Sequence, residues 1–141
     1  MTSRTQPEER FLDTNIFLRH LVNDDPQQSP RCLAIFKAIE DGALRAWSTD
    51  LAIAEVVWVL TRFYGLTRHQ IRELLYPLIR FPGLRLPGKR IYGRVFELYV
   101  NLRIDYIDCF HAALLEAEGQ AAFYSYDRDF DRIPSLARQE P

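Results

Sequence analysis

Apolar positions along this chain recur at two periods, and the switches between them mark short strands followed by longer helices. Phe11-Leu12 is a brief apolar run that predicts a strand over Arg10 to Leu12. From Asn15 to Val22 the spacing turns helical, with Phe17 or Leu18 and Leu21 on one side, until Asp24-Asp25-Pro26 breaks it. A second helix is expected from Ser29 to Asp41, with Leu33, Phe36 and Ile39 on one face and Gly42 as its stop. Ala43 to Ser48 reads as a second strand. The run LAIAEVVWVL, residues 51–60, reads as a helix with Ser48, Thr49 and Asp50 available to cap it. That helix is apolar all round except for Glu55, the pattern of a buried helix or of one in a subunit interface.

Thr67 to Arg80 is amphipathic, with Ile71, Leu74, Leu75 and Leu78 facing inward and Pro77 expected to kink or shorten it. The turn-rich FPGLRLPG, residues 81–88, leaves room for a short strand at Leu84 to Leu86. Lys89 to Arg103 returns to helix with Ile91, Val95, Leu98 and Leu102 in register. Asp105 to Glu118 is a further helix closed by Gly119, and AAFYSYD, residues 121–127, is a strand ending on a carboxylate. The end of the chain is loop-like, with one edge strand at Ile133. Short strands alternating with helices are satisfied by a parallel sheet covered on both faces, and functional groups in such sheets gather beyond the carboxyl ends of the strands. Asp13 and Asp127 both fall at such ends.

Composition narrows the field. The chain has 141 residues, 48% of them apolar, enough for one globular domain with its own core. Residues 1–9 are expected to be a flexible extension, 10–136 a single domain and 137–141 a tail. The net charge of −1 means that a polyanion would have to be met by a local patch. Cys32 and Cys109 sit in apolar helical contexts as buried free thiols, without the spacing of a zinc site. No signal-peptide core or membrane-length apolar run is present, so the chain reads as soluble and cytoplasmic.

The chemistry lies in four carboxylates. Asp13 either caps the helix that follows or meets a cation. Glu55 is the one ionisable group in ten residues of hydrocarbon, and burying it unpaired would cost several kcal/mol. Asp108 suits the first turn of a helix that Asp105 could cap, which does not exclude a functional role. Asp127 either starts a turn or joins a site. Asp127, Asp129 and Asp131 have the spacing of a calcium loop, but Arg132 and Arg138 occupy its glycine and terminal glutamate positions. If the edge of one parallel sheet brings Asp13, Glu55, Asp108 and Asp127 together, they need a cation. Two carboxylates 4 Å apart repel by about 4 kcal/mol at an effective dielectric of 20. Hard oxygen ligands suit Mg²⁺ or Mn²⁺, which can activate water and stabilise an in-line attack on phosphate. Asn15 could then orient a water or a phosphate oxygen.

FLDTNIFLRHL, STDLAIAEVVWVL, DYIDCFHAALLEAEG and FYSYDRDF, in this order from about residue 10 to 132, resemble the PIN-domain ribonucleases. The closest likeness is to the VapC-type toxins of toxin–antitoxin pairs. The resemblance implies a three-layer α/β/α fold with a central parallel sheet of four to five strands. It implies Mg²⁺- or Mn²⁺-dependent endonucleolytic cleavage of RNA, a cognate antitoxin and a homodimer. Asp13, Glu55, Asp108 and Asp127 match the family's catalytic acids, with Asp13 and Asp108 binding metal. Asn15 and Ser125 match supporting polar positions, and Asp105 and Asp129 are further supporting residues. About nine residues precede the first strand, where the family usually has few. Cys109-Phe110-His111 follows Asp108 in place of small apolar residues, and His111 is either a core histidine or a substrate contact.

Arg85, Lys89, Arg90 and Arg94 lie in a basic segment from 80 to 103 that either solvates a helix face or tracks phosphates, with Tyr92 and Tyr99 placed to stack on bases or pack in the core. A receiver-type signalling domain would need paired acids after the first strand and a lysine after the last, and neither is present. A haloacid-type phosphatase would need a second acid where Asn15 stands. A PIN-like nuclease acting on DNA, or a PIN-like domain acting only as a metal-binding interaction module, remains as the alternative.

Overall fold

The computed structural model describes residues 9–141, so the expected N-terminal extension lies outside the described residues except for Glu9, which opens the first strand. The elements run β1 (Glu9–Phe11), α1 (Thr14–Val22), α2 (Gln28–Glu40), β2 (Arg45–Trp47), α3 (Asp50–Arg62), α4 (Arg68–Ile79), β3 (Leu84–Arg85), α5 (Tyr92–Leu102), α6 (Tyr106–Ala117), β4 (Ala122–Tyr124) and β5 (Ala137–Gln139). The strand–helix alternation and the parallel sense of the strands are those of the α/β class expected from the sequence. The five strands are hydrogen-bonded as two parallel sheets, ordered β1-β2-β3 and β4-β5. The chain divides into two compact units, Met1–Lys89 and Arg90–Pro141.

In the first unit the register aligns Phe11 with Trp47 and Trp47 with Arg85. Directly opposed residues share a face, so the alternation of strands puts Ala46 and Leu84 on the buried face and this row on the exposed one. Phe11 and Trp47 pack at 4.8 Å, and the Arg85 guanidinium lies 5.4 Å from the Trp47 ring. The sequence expects Leu33 and Leu74 inside, and both are exposed. The inward face of α2 is Ser29, Cys32, Phe36 and Ile39, and that of α4 is Ile71, Leu75, Leu78 and Ile79. Phe36 and Ile39 in α2 and Ile71, Leu75 and Leu78 in α4 are buried as expected, so only the edge of each face differs, where the 100° step of a helix makes adjacent apolar positions compete for the core. Helix α4 runs through Pro77, whose missing N–H leaves the Glu73 carbonyl without its i+4 donor, and ends two residues later at Ile79.

In the second unit α5 starts at Tyr92, after a 3₁₀ turn over Lys89–Ile91, and buries Tyr92, Val95, Phe96, Leu98 and Tyr99. Tyr92 and Tyr99 are therefore core residues and are not available to stack on bases. Gly119 adopts a left-handed φ of 68° after α6, the stop expected of it. Residues 137–139 are not a tail: they form β5, paired with β4. Ile133 is no strand but a buried residue closing the 3₁₀ turn Arg128–Arg132. Both cysteines are buried thiols outside any disulfide, and no helix among the described residues is long and apolar enough to cross a membrane.

Ser48 ties the functional end of the first sheet together. Its buried hydroxyl donates to the Leu12 carbonyl at 2.8 Å, and the Leu12 N–H donates to the Trp47 carbonyl at 2.9 Å. Ser48→Ala leaves the Leu12 carbonyl without this donor, so we expect a loss of about 1–3 kcal/mol. Urea denaturation should show a lower midpoint at unchanged slope.

Candidate active site

The first unit places Asp13 immediately before α1, where its carboxylate accepts from the Thr14 N–H at 2.8 Å. The capping role is thus real, but the second carboxylate oxygen is left over and the side chain is exposed. The Thr14 hydroxyl donates to Glu55 Oε2 at 2.9 Å, joining the start of α1 to the middle of α3. Neither Asp13 nor Glu55 has a basic partner among the described residues. Glu55 is exposed, which corrects the expectation of a helix apolar on every side. Leu51, Glu55 and Trp58, spaced i, i+4 and i+7, form an outward face of α3 with Leu51 79% and Trp58 58% exposed. Asn15 is exposed in the first turn of α1, beside a pocket that Arg19 and Arg31 also line.

The second unit places Asp108 in the first turn of α6 and Asp127 at the start of the 3₁₀ turn that follows β4. Strand β4 stops at Tyr124, so Asp127 lies three residues past it and caps the next turn, accepting from the Asp129 N–H at 2.9 Å. The Ser125 hydroxyl accepts from the Asp127 N–H at 3.0 Å. Asp108 and Asp127 line one pocket. Burial, hydrogen bonding to Asp127 and the charges of Asp127 and Asp105 push the Asp108 carboxyl up from 3.8 to about 6, against a smaller opposite pull from His111. Asp105 precedes α6 without capping it through its side chain. His111 is exposed, which removes the reading of a core histidine.

Two contacts that the sequence reading missed hold this pair. Arg94 on α5 makes a double hydrogen bond to Glu116 on α6, at 2.8 and 3.2 Å, and the pairing raises the Arg94 pKa while depressing that of Glu116. Arg138 on β5 bonds both oxygens of Asp131 at 3.0 and 3.1 Å and the Ser125 carbonyl at 3.0 Å, which fixes the segment leading to Asp127. Arg138 was legible only as a mismatch to a calcium loop. Thr14 lies inside FLDTNIFLRHL, and its hydroxyl is its one signal in the sequence.

Of the four basic residues singled out for RNA, three are engaged. Arg85 pairs with Glu9 at 2.7 Å, Arg94 with Glu116 and Glu97, and the Lys89 ammonium with the carbonyls of Phe81 and Leu84. Burial lowers the Lys89 pKa. Arg90 is exposed.

Among the described residues no three His, Cys, Asp or Glu side chains are gathered closely enough to hold a metal ion. The donor chemistry of the pair in the second unit nevertheless fits one. Asp108 and Asp127 are oxygen donors in the lining of one pocket, and a hard divalent cation favours such donors.

A family model described as PIN domain matches residues 10–136. The chain belongs to the PIN-domain family. PIN domains are nuclease-type folds that generally act as metal-dependent nucleases and typically use divalent metal ions, in keeping with the unpaired carboxylates described above. No curated protein matches the chain.

Asp127→Asn removes a charge that raises Asp108 and puts an amide donor, which favours the charged carboxylate, in place of the carboxyl. In the metal-free protein the Asp108 carboxyl should therefore move down from about 6 toward 3.8, stopping short because its burial remains. A carbon-detected NMR titration reads this directly. The folded chain holds this proton over a range where the unfolded chain has lost it. The stability that Asp108 contributes is therefore present at low pH and falls as pH rises from 3.8 to about 6.

Proposed function

We propose that this PIN domain is an Mg²⁺- or Mn²⁺-dependent endoribonuclease and the toxin of a toxin–antitoxin pair. The observation that carries the reading is the Asp108–Asp127 pair, two carboxylates in one pocket with no lysine or arginine among the described residues that line it. The four motifs that resemble VapC-type toxins favour RNA over DNA.

A bound divalent cation would supply positive charge for an in-line attack of water on a phosphodiester. Asp13 and Asp108 are its proposed direct ligands. Glu55 and Asp127 either ligate it through water or orient the attacking water. Thr14 holds the Glu55 carboxylate in one orientation, and Ser125 and the Asp129 N–H do the same for the loop that carries Asp127. Asn15, Asp105 and Asp129 are proposed as supporting polar groups. Arg90, Arg85, Lys89 and Arg94 are the proposed phosphate contacts. Arg90 comes first because the other three are engaged within the chain.

The proposed partners are a cognate antitoxin and a second copy of the chain, acting in the cytoplasm. The exposed apolar side chains of α3 and its C-terminal end, Leu51, Trp58 and Phe63, support a helix-to-helix contact.

The test is incubation of purified protein with a mixed pool of structured cellular RNAs in Mg²⁺, in Mn²⁺ and in EDTA. Discrete cuts should appear with metal and vanish with EDTA. Asp13→Asn and Asp108→Asn should each lower the rate by at least about 10²-fold, the order lost on removing one charge-stabilising group, while circular dichroism stays that of the wild type. Cuts that persist in either variant would remove that residue from the mechanism. Cleavage confined to DNA would redirect the substrate.

A further inference from the structure

We propose that the pocket between α6 and β4 receives one unstacked nucleobase of an RNA substrate, which rests on the ribonuclease reading above. The pocket has a volume of about 340 Å³, within the range of small-ligand sites. Asp108, His111 and Leu115 line it from α6 at i, i+3 and i+7, one face of the helix. Phe123 and Tyr124 line it from β4. Phe130, buried in the following 3₁₀ turn, packs edge-on against Phe123 at 4.9 Å and closes the floor.

This lining selects its occupant. The walls are aliphatic and aromatic, and the Tyr124 ring is 72% exposed, so a flat apolar surface is offered to a ligand. His111 and Ser125 add polar groups that can read the edge of a ring. Asp108 and Asp127 stand in the same lining and repel any anion that arrives without a cation. A nucleotide satisfies both constraints at once. Its neutral base fits the apolar walls, and its phosphate is left at the carboxylate end, where a divalent cation would meet it. A base held in Watson–Crick pairing cannot enter, so the substrate is single-stranded or looped out at that nucleotide. His111 and Tyr124 are then specificity residues, outside the hydrolytic step.

The test is fluorescence anisotropy in Ca²⁺, a divalent cation that screens the carboxylates in place of Mg²⁺ or Mn²⁺, with labelled six-residue oligoribonucleotides bearing adenine, guanine, uracil, cytosine or no base. Wild-type protein is compared with Tyr124→Ala and Leu114→Trp. Both positions are exposed, and the added indole narrows the pocket. The wild type should bind at least one base-bearing oligomer about tenfold more tightly than the abasic chain. That ratio should fall below about threefold in both variants, with abasic binding unchanged. An equal ratio in all three proteins, or no preference in the wild type, overturns the pocket. The same oligomers with Mn²⁺ separate the two readings. Base preference without cleavage overturns the nuclease, and cleavage without base preference overturns the pocket.

Discussion

Two neighbouring carboxylates repel when both are charged, and Asp108 and Asp127 are held under that constraint, with the Asp108 carboxyl pushed up to about 6. The fold of the second unit maintains it. Arg94 clamps α5 to α6, which sets the helix carrying Asp108. Arg138 ties β5 to Asp131 and to the Ser125 carbonyl, which sets the loop carrying Asp127. Each clamp is an arginine bonding both oxygens of one carboxylate, a geometry that fixes direction as well as distance. A proton relieves the repulsion only at pH values below about 6. A divalent cation would relieve it above that pH as well, because its charge also satisfies the remaining oxygen lone pairs.

The first unit solves a related problem with neutral donors. Asp13 and Glu55 have no basic partner among the described residues, yet each has one oxygen fixed, Asp13 by the Thr14 N–H and Glu55 by the Thr14 hydroxyl. One threonine thus orients two acids without neutralising either. Ser48 holds the strand end that leads into Asp13. Stability and readiness for a cation are separated in this way, since the groups that hold the backbone leave the carboxylate charge unspent.

Much of this was legible in the residues. The period of the apolar positions marked every helix, and the isolated acids in apolar stretches marked Asp13, Glu55, Asp108 and Asp127. What failed depended on tertiary partners. Leu33 and Leu74 were placed inside because periodicity cannot choose between adjacent faces of a helix. The outward face of α3 was hidden because Leu51 and Trp58 are apolar yet exposed. β5 was missed because three residues, Ala-Arg-Gln, carry no apolar signal and become a strand only by pairing with β4. In the basic segment, sequence shows Arg85, Lys89 and Arg94 but not the carboxylates and carbonyls that engage them.

The central claim is that these carboxylates await a divalent cation, and calorimetric titration of the metal-free protein with Mn²⁺ tests it most directly. Run near pH 6 in two buffers of different ionisation enthalpy, the titration reports both binding and proton release. Binding should displace a fraction of a proton at pH 6 and almost none at pH 8, because the Asp108 carboxyl titrates at about 6, and Asp108→Asn should weaken it severely. Absence of Mn²⁺ binding, or binding of equal strength and proton release in Asp108→Asn, would contradict it.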